Sequence, residues 1–500
     1  MACKEGYHRI DRVRPDGQHI TSEAWFDTDN QPMPYKDVYV RIERDFDQAG
    51  NTICERYYGA DGKPACCRDG FDELRRAYDE KNRVIRKEWY LDHQRVLNNK
   101  GYAILVQENT DGGKVPSREA YFGLSEEPVL NHWGCAVLQR TFDEMGNTAS
   151  EWYLGTDGEP VSCKEGYHRI DRTWLDGTHV LSEAWFDTDN QPMPYKDLYV
   201  RIERDYDGNG NNTRERYYGA DGNPAAGRDG YDEIRRAFDE RNRVIRTEWF
   251  LGGRRCLIPK GYAVLRQEYT ESGKVSREMY FGTDEEPVLS DGGCAIVQRT
   301  FDEHGNTAAE WYLGTEGEPV ACKEGYHRIE RTWLDEKHTL SEAWFDTAGN
   351  PIPCKDTYVR IEKDYDDALN KKEERYFGAA GEPVLNNRGF AVMRRAFDEG
   401  GNVSGEWYLG TDNEPVACRE GYHRIERRWL DGKHMLSEAW FDTEGRPIPY
   451  KDIYVRVEWD YDEYLRKTGE RYYDAQGNPT ACRAGYKEIN WIYDEPKEEH

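Results

Sequence analysis

The stretch of sequence that decides the fold is KEGYHRIDRTWLDGTHVLSEAWFDTDNQPMP, residues 164–194. Almost the same text returns at Lys323–Pro353 and Arg419–Pro449, and related units such as DLYVRIERDYD and RERYYGADGNP lie between the copies. The repeat has a period of about 32 residues, which is typical of arrays whose neighbouring units bury one another's apolar faces. We therefore expect one tandem-repeat array over residues 1–500.

Each unit of the repeat predicts a strand, a turn and a second strand. In the quoted stretch the strands are expected at Tyr167–Trp174 and Val180–Asp187, joined by an Asp-Gly turn at 175–178. A second turn follows in many units with the pattern Asp-Gly-x-Pro, as at Asp61–Pro64. Since no stretch combines a 3.6-residue period with helix caps, the sequence predicts an all-β fold of tandem β-hairpins, stacked as an elongated solenoid or superhelix.

Five unit types, the first of which we call the A type, repeat together as a block. The blocks run over residues 3–162, 163–321, 322–417 and 418–500, and the third and fourth lack some unit types. Units that keep both strands number 15. A last single strand at 486–493 is expected to cap the array, and an acidic tail follows it.

The composition favours a folded chain and excludes some partners. The chain has 35 Tyr, 15 Trp and 15 Phe, more aromatic residues than disordered chains carry, so we expect aromatic cores. The net charge of −27 argues against nucleic acid as a partner. There is neither an apolar run of about 18 residues nor an N-terminal signal segment. We thus expect no membrane insertion, and a cytoplasmic location unless the chain is a fragment of a larger exported protein at the cell surface.

The 12 cysteines do not form a disulfide framework in the sequence. Most occupy one register position at the start of a unit, where other units have Tyr195, Gly227 or Tyr450. No CxxC or Cys/His spacing suits zinc. We expect inert, half-buried thiols, no metal site and no cofactor. The cysteines at this register position are Cys3, Cys67, Cys163, Cys322, Cys354, Cys418 and Cys482.

One face of each hairpin carries an alternating charge pattern. The first strand offers an aliphatic residue, usually an Arg and then an aromatic residue, as in Ile202, Arg204 and Tyr206. The second strand places a Glu before its aromatic cluster. We expect Arg–Glu pairs that fix the register of each hairpin, with a ligand site as the alternative. These residues are Glu23, Glu55, Glu88, Glu119, Glu151, Glu183, Glu215, Glu248, Glu278, Glu310, Glu342, Glu374, Glu406, Glu438 and Glu470.

The four A-type units differ from the others because each carries two histidines. Closing the hairpin on its Asp-Gly turn pairs His168 with Trp185 and Trp174 with His179, all on one face. Such a face suits a sugar ring or a quaternary ammonium group. The alternative is that the Trp packs against the next hairpin while the His binds a backbone carbonyl. The candidate ligand-binding residues are His8, His19, Trp25, His168, Trp174, His179, Trp185, His327, Trp333, His338, Trp344, His423, Trp429, His434 and Trp440.

The aromatic pair and the turn that follows it resemble a known type of bacterial repeat. The run EWYLGTDGEP at Glu151–Pro160, with relatives at Arg56–Gly62 and Ala184–Asp189, is similar to the core of cell-wall (choline-)binding and glucan-binding repeats. The motif at Phe142–Asn147, repeated at Phe301–Asn306, resembles the YD-type repeats of large bacterial shell proteins. These resemblances imply a bacterial β-hairpin array, often attached to a separate effector domain.

Two functional hypotheses follow, and neither is catalytic. The sequence contains no Ser/His/Asp constellation, P-loop, dinucleotide fingerprint or HExxH motif, so we do not expect an enzyme. The first hypothesis is a binding module for a repeated polymer, such as a bacterial cell-surface glycan or a teichoic-acid-like chain. The alternative is a protein-interaction scaffold or spacer with an acidic outer face. Exposure of Trp25, Trp185, Trp344 and Trp440 favours the glycan, and their burial favours the scaffold.

Overall fold

The fold is all-β. A computed structural model describes residues 7–34, 39–111, 114–195, 198–354, 357–449, 454–462 and 465–491. In this part of the chain there are 33 strands and no helix, so no helical membrane span is found there. The strands form 15 antiparallel hairpins and one last single strand. The predicted all-β class and the count of hairpins are therefore confirmed.

The chain divides into two compact units, residues 1–244 with 248–255 and residues 245–247 with 256–500. The first unit contains one antiparallel sheet in which each hairpin pairs with the next. Its strands are β1 (Arg9–Val13), β2 (Ser22–Phe26), β3 (Arg41–Phe46), β4 (Thr52–Tyr58), β5 (Glu73–Tyr78), β6 (Val84–Leu91), β7 (Gln94–Arg95), β8 (Ile104–Glu108), β9 (Arg118–Phe122), β10 (Val137–Phe142), β11 (Thr148–Leu154), β12 (Arg169–Trp174), β13 (Val180–Phe186), β14 (Arg201–Tyr206), β15 (Asn212–Tyr218) and β16 (Glu233–Phe238).

The second unit repeats this arrangement from β19 onward. Strand β17 (Val244–Leu251) contributes residues to both units, and the short β18 (Arg254–Arg255) belongs to the first. The second unit has β19 (Val264–Tyr269), β20 (Val275–Phe281), β21 (Ile296–Phe301), β22 (Thr307–Leu313), β23 (Arg328–Trp333), β24 (Thr339–Phe345), β25 (Arg360–Tyr365), β26 (Lys371–Phe377), β27 (Val392–Phe397), β28 (Val403–Leu409), β29 (Arg424–Trp429), β30 (Met435–Phe441), β31 (Arg456–Tyr461), β32 (Lys467–Tyr473) and β33 (Glu488–Asn490).

The last strand pairs with β32, as a capping half-unit would. It is shorter than the predicted strand at 486–493, whose last two residues lie outside the described part of the chain, together with the acidic tail. Residue Cys3, where the first block begins, and Tyr450 also lie outside the described residues.

The hairpin turns are built around an Asp and a Gly. In the β3–β4 turn the Asp47 carboxylate accepts hydrogen bonds from the backbone N–H groups of Ala49 and Asn51, at 2.9 and 2.8 Å. Gly50 has φ of +84°, a left-handed conformation that Gly adopts without strain. The register then shifts by one residue after Asp45, which is a β-bulge. The recurring Gly-Asn dipeptide therefore belongs to a longer turn followed by a bulge.

A second turn returns the chain from each hairpin to the next. After β13 the N–H of Asp187 donates to the carbonyl of Gln191 at 2.9 Å, and Pro192 forms a bridge with Phe186. The N–H of Met193 then donates to the carbonyl of Trp185 at 2.9 Å. A proline suits this place because it pairs at the edge of the sheet without needing its own N–H. The turn thereby covers the end of the second strand and directs the chain into the next hairpin.

The core of each of the two compact units is largely aromatic. In the first unit Ile170, Trp185, Ile202 and Tyr217 are buried in one cluster that runs through successive hairpins. The rings of Tyr199 and Tyr217 lie 4.9 Å apart between their centroids. A corresponding cluster fills the second unit. Because tilted aromatic pairs add to the free energy of area burial, these rings stabilise the contact between neighbouring hairpins.

The opposite face of the sheet carries stacked arginines. The guanidinium of Arg169 lies 3.9 Å from the ring centroid of Phe186, its cross-strand partner. The same pairing recurs through both units, for example between Arg41 and Tyr58 at 4.3 Å. Cation–π contacts of this kind contribute about 0.5–1 kcal/mol at exposed sites. In every hairpin that has such a contact, the arginine and the aromatic ring on the outer face help to hold the two strands together.

Candidate functional site

The A hairpins, which we define as β1–β2, β12–β13, β23–β24 and β29–β30, were predicted to form a ligand-binding face. In the second of them the structure pairs Ile170 with Trp185, Arg172 with Glu183 and Trp174 with Val180. The predicted pairs are therefore wrong: the register at His168 is off by two residues, and Trp174 lies opposite Val180, one residue from its predicted partner His179.

The reason for this error is the turn, which is longer than the Asp-Gly signal suggests. It spans five residues, because the N–H of Leu175 donates to the carbonyl of His179 at 2.9 Å. The Asp176 carboxylate stabilises this loop by accepting from the N–H groups of Thr178 and His179, at 2.8 and 2.9 Å. A bulge beside Trp174 adds one further residue. Since side chains alternate with period two, a shift of two residues keeps the predicted face while changing every partner.

The second-strand tryptophans of the A hairpins lie in the core. Only 4% of Trp25, 4% of Trp185, 9% of Trp344 and 3% of Trp440 is exposed. The ring of Trp185 stacks on Tyr195, with centroids 4.6 Å apart and planes 12° from parallel. These tryptophans therefore join each A hairpin to the chain that follows it, and the structure does not present them as an open stacking surface.

Three of the four first-strand histidines are buried and bound to backbone. The Nδ1 atom of His168 lies 2.7 Å from the carbonyl oxygen of Tyr153 in the preceding hairpin, and 2% of the residue is exposed. A carbonyl can only accept, so Nδ1 carries the proton. His327 and His423 make the same contact, at 2.7 and 2.6 Å. His8 is exposed at the start of the first hairpin.

The turn histidines are bound to the turn aspartates. The Nδ1 atom of His179 lies 2.7 Å from Oδ2 of Asp176, and its ring packs 4.9 Å from that of Tyr206. The hydrogen bond from this histidine is the main cause that holds the pKa of the Asp176 carboxyl well below its usual range. The same Asp–His pair recurs at His19, His338 and His434. Each histidine therefore closes its own turn and contacts the next hairpin.

The first-strand tryptophans bind the preceding hairpin. The indole N–H of Trp174 donates to the carbonyl of Thr148 at 2.8 Å, and Trp333 and Trp429 make equivalent bonds to Thr307 and Val403. In other units a tyrosine hydroxyl occupies this place. Every predicted ligand-binding side chain described by these contacts thus holds neighbouring segments together. The structure does not bring the two histidines and two tryptophans of one A hairpin onto a single open surface, and ligand binding by them stays a prediction.

The predicted Arg–Glu pairs are present and extend between hairpins. Arg204 donates from Nε to Glu215 of its own hairpin at 3.0 Å, and from its terminal nitrogens to Glu183 of the preceding hairpin at 3.2 Å. The Tyr217 hydroxyl also donates to Glu215. Arg140 and Arg299 bridge two glutamates in the same way. We call this row of alternating charges the Glu–Arg ladder.

Two of the 15 predicted ladder glutamates lie elsewhere. Arg76 pairs with Lys87, which stands at the ladder position, while Glu88 pairs with Arg75 on the opposite face. The spacing explains the error, because ladder glutamates precede the core aromatic residue by two positions and Glu88 precedes Trp89 by one. Glu248 precedes Trp249 by one in the same way, and it binds Arg255 at 2.8 Å. This spacing is visible in the sequence and distinguishes Glu88 and Glu248 from the ladder glutamates.

The missing glutamate also explains a glutamine in the next hairpin. In several hairpins the ladder arginine binds the glutamate of the preceding hairpin, as Arg140, Arg204 and Arg299 do. In the hairpin after Lys87 this arginine is replaced by Gln107. Gln107 donates only to Glu119, the glutamate of its own hairpin, at 2.8 Å. The second block repeats the change with Thr247 and Gln267. The residue at the Lys87 or Thr247 position and the residue at the Gln107 or Gln267 position change together. An arginine in place of the glutamine would face a cation in the first block and a neutral residue in the second.

The cysteines behave as small apolar residues. Cys135, Cys163, Cys294 and Cys322 are buried free thiols. Burial is the main cause that raises the pKa of the Cys135 thiol to about 12, so it is protonated at neutral pH. No group of three or more His, Cys, Asp or Glu side chains in the described ranges has the geometry to hold a metal ion.

Comparisons with known proteins give likeness only at the level of structure. No family model matches the sequence, and no curated protein matches it. The crystal structure of TcdB2-TccC3 without its hypervariable C-terminal region aligns with 93% of this chain, at a TM-score of 0.31 and 8% identity. The Photorhabdus luminescens Tc holotoxin pore, with a point mutation in TccC3, aligns with 94% of the chain at a TM-score of 0.30 and 10% identity. This chain spans 28% and 25% of the length of those two chains.

Proposed function

We propose that this array is a protein-interaction scaffold whose acidic outer surface binds a basic partner. The observation that carries the proposal is the burial of Trp25, Trp185, Trp344 and Trp440, which are at most 9% exposed. Sugar rings bind to proteins by stacking on exposed aromatic faces. The faces that a glycan would need are instead occupied by neighbouring hairpins.

The hairpin tips supply the acidic surface. Among the described residues outside the A hairpins, five turns carry an Asp-Glu pair in which the Asp is used by the turn itself. In one of them Asp79 accepts from the N–H groups of Lys81 and Arg83, both at 2.9 Å. The Glu that follows the Asp points outward and is exposed in each turn. These exposed residues are Glu80, Glu144, Glu240, Glu303 and Glu399.

The charge of the whole chain supports the same function. A net charge of −27 attracts a basic partner over distances of about a Debye length, roughly 10 Å at 0.1 M salt. Three of these tips, at 143–147, 302–306 and 398–402, contain no Lys or Arg, so their carboxylates are not offset within the turn. A repeated acidic tip also permits several weak contacts to act together, which raises the apparent affinity for a partner that spans more than one tip.

The proposal is tested with a variant in which the five tip glutamates are changed to glutamine. Proteins that bind the immobilised full chain at low salt and leave it at high salt are identified, purified and titrated against both forms. We expect the glutamine variant to lose about tenfold or more in affinity, mainly through a slower association rate. The matched control changes the same five residues to aspartate, which keeps the charge, and it should bind as the wild type does.

A glycan module would give the opposite pattern. It would bind purified peptidoglycan or teichoic acid with an affinity that the five tip substitutions leave unchanged. That result, together with partner binding that does not respond to salt, would overturn the scaffold proposal.

A further inference from the structure

A cavity in the first unit lies where the Glu–Arg ladder is interrupted. It has a volume of about 370 Å³ and is formed by side chains of β6, β8, β9 and β10 and of the loops that precede β8 and β10. Trp89, Tyr102 and Tyr121 are buried in its wall. We call it the Trp133 cavity, after the tryptophan at its rim. A concave site of this size with aromatic walls and a few polar groups has the character of a small-molecule site.

The Trp133 cavity holds three cationic side chains and one carboxylate, Glu119, although the protein as a whole is strongly acidic. Lys87 lies between Arg76 on one neighbouring strand and Leu105 on the other, and Lys100 also lines the cavity. Burial is the main cause that lowers the pKa of the Lys87 ammonium; Arg76 and Lys100 lower it further, and Glu119 opposes them. Within the part of the chain that the structure describes, no carboxylate lies at ion-pair distance from Lys87. An anionic ligand would therefore relieve an unfavourable concentration of positive charge.

The third cation in the cavity is already neutralised. Arg140 binds Glu119 at 3.1 Å and Glu151 at 2.8 Å. This leaves Lys87 and Lys100 as the groups that can pair with an anion from outside.

The rim of the cavity holds an aromatic ring in a fixed position. Trp133 is 45% exposed, and its ring centroid lies 5.2 Å from that of His132. The backbone around it is tied on both sides, because the N–H of His132 donates to the carbonyl of Lys100 at 2.9 Å and the N–H of Lys164 donates to that of Trp133 at 2.8 Å. A large exposed ring on an anchored loop is suited to stack on a ligand without a high cost in conformational entropy.

The second block shows that the fold does not need these residues. Its sequence has Thr247, Asp291 and Gly292 where the first block has Lys87, His132 and Trp133. The wall residues persist in the second block as Tyr262, Leu265, Gln267 and Tyr280. Lys87, His132 and Trp133 are thus additions to a common framework, which keeps Lys100 as Lys260.

We propose that the Trp133 cavity binds a small aromatic carboxylate, with its anionic group paired to Lys87 and Lys100 and its ring in contact with Trp133. The two lysines supply charge-assisted hydrogen bonds to a carboxylate. Trp133 and the buried tyrosines supply the apolar surface for a planar ring. This site shares no residue with the acidic tips, so failure of one proposal would leave the other unaffected.

The proposal is tested by calorimetric titration of the full chain with indole-3-acetate. Indole and tryptamine serve as matched ligands, because they keep the ring and lack the negative charge. We expect one site for indole-3-acetate and binding at least about tenfold weaker for both matched ligands. The variants Lys87→Thr and Trp133→Gly copy the second block, and each should weaken binding about tenfold. Lys337→Thr, at an exposed turn of the other unit, should leave binding unchanged.

A second experiment creates the site in the second block, so the proposal can still be tested if a variant of the first block unfolds. The triple variant Thr247→Lys, Asp291→His and Gly292→Trp transfers the three groups to the second block. Gly292 has an ordinary backbone conformation, and a Cβ there would meet only the Ser290 hydroxyl at 3.3 Å. We expect the stoichiometry to rise from one site to two. Absence of binding to the wild type, equal binding of tryptamine, or no response to any of these variants would overturn the proposal.

Discussion

Arg204 donates a hydrogen bond across the boundary between two hairpins to Glu183, 3.2 Å away. The same guanidinium is bound to Glu215 within its own hairpin. One side chain therefore fixes the register of its own hairpin and attaches that hairpin to the one before it. A residue needed by every unit for its own assembly is under structural constraint wherever it occurs, which is why the repeated glutamates are better explained by the fold than by a ligand.

The Glu–Arg ladder should contribute locally to stability. Glu215→Gln removes the charge that accepts hydrogen bonds from Arg204 and Tyr217, and we expect a cost of about 1–3 kcal/mol. Amide hydrogen exchange should show the loss of protection in β14 to β16 and little change elsewhere, because repeat units couple mainly to their neighbours. The exposed tip variant Glu240→Gln is the control. Unchanged exchange in β14 to β16 would show that the ladder does not stabilise the hairpins.

Restoring a glutamate at position 87 and an arginine at position 107 together should rebuild the Glu–Arg ladder at this place. Gln107→Arg alone adds a further cation near Lys87, beside Arg76 and Lys100, so it should destabilise the protein. Combined with Lys87→Glu it restores the alternation of charges seen at Arg140 and Arg204. A double-mutant cycle measured by urea unfolding should give a favourable coupling of about 1 kcal/mol or more. Simple additivity of the two substitutions would show that the ladder does not explain Gln107.

The hydrogen bond from Trp174 to the preceding hairpin should accept a tyrosine in its place. Tyr206 makes the equivalent bond to the carbonyl of Val180 at 2.9 Å. We therefore expect Trp174→Tyr to retain most of the stability, while Trp174→Phe leaves the Thr148 carbonyl without its donor and costs about 1 kcal/mol more. Thermal unfolding of the two variants checks this difference. Equal stability of the two would mean that the ring alone matters.

The turn aspartates should make the turns sensitive to acid. A hydrogen bond from the backbone N–H of Lys433 and another from the side chain of His434 lower the pKa of the Asp431 carboxyl from 3.8 to about 2. A carboxyl whose folded pKa is lowered stabilises the protein above its unfolded pKa, and this contribution disappears as the pH falls through the folded value. The difference in melting temperature between wild type and Asp431→Asn should therefore be largest near neutral pH and shrink between pH 3.8 and about 2. A difference that does not change over this window would contradict the assignment.

The sequence was sufficient to predict the fold because its signals are local and repeated. Alternating apolar residues, Asp-Gly turns and aromatic pairs define each hairpin, and 15 copies leave little room for another fold. The partners within an A hairpin were wrong, since a five-residue turn and a bulge together move the register by two residues and neither is visible in the Asp-Gly dipeptide. Likewise, Glu88 resembles a ladder glutamate until its distance from the core Trp89 is counted.

The character of the candidate site depended on information that one strand does not contain. Whether Trp185 faces solvent or a neighbour is decided by Tyr195, which lies in the loop that follows the hairpin. The role of His168 is decided by a carbonyl in the preceding hairpin. Both contacts join two different repeat units. The sequence of one repeat does not show which residues of the neighbouring unit lie within contact distance. The Trp133 cavity does not show in the repeat pattern, because Lys87, His132 and Trp133 occur in one block and the pattern contains only what the units share.

The most direct test of the account is the variant that combines Trp185→Ala with Trp344→Ala. If the A-hairpin tryptophans are core residues, each substitution removes a buried ring and should cost about 3–5 kcal/mol in its own part of the array. Circular dichroism should then show a loss of β-structure or a much lower melting temperature, in step with the loss of any binding. A double variant that melts like the wild type but no longer binds a glycan polymer would contradict the account and make these tryptophans a ligand-binding surface.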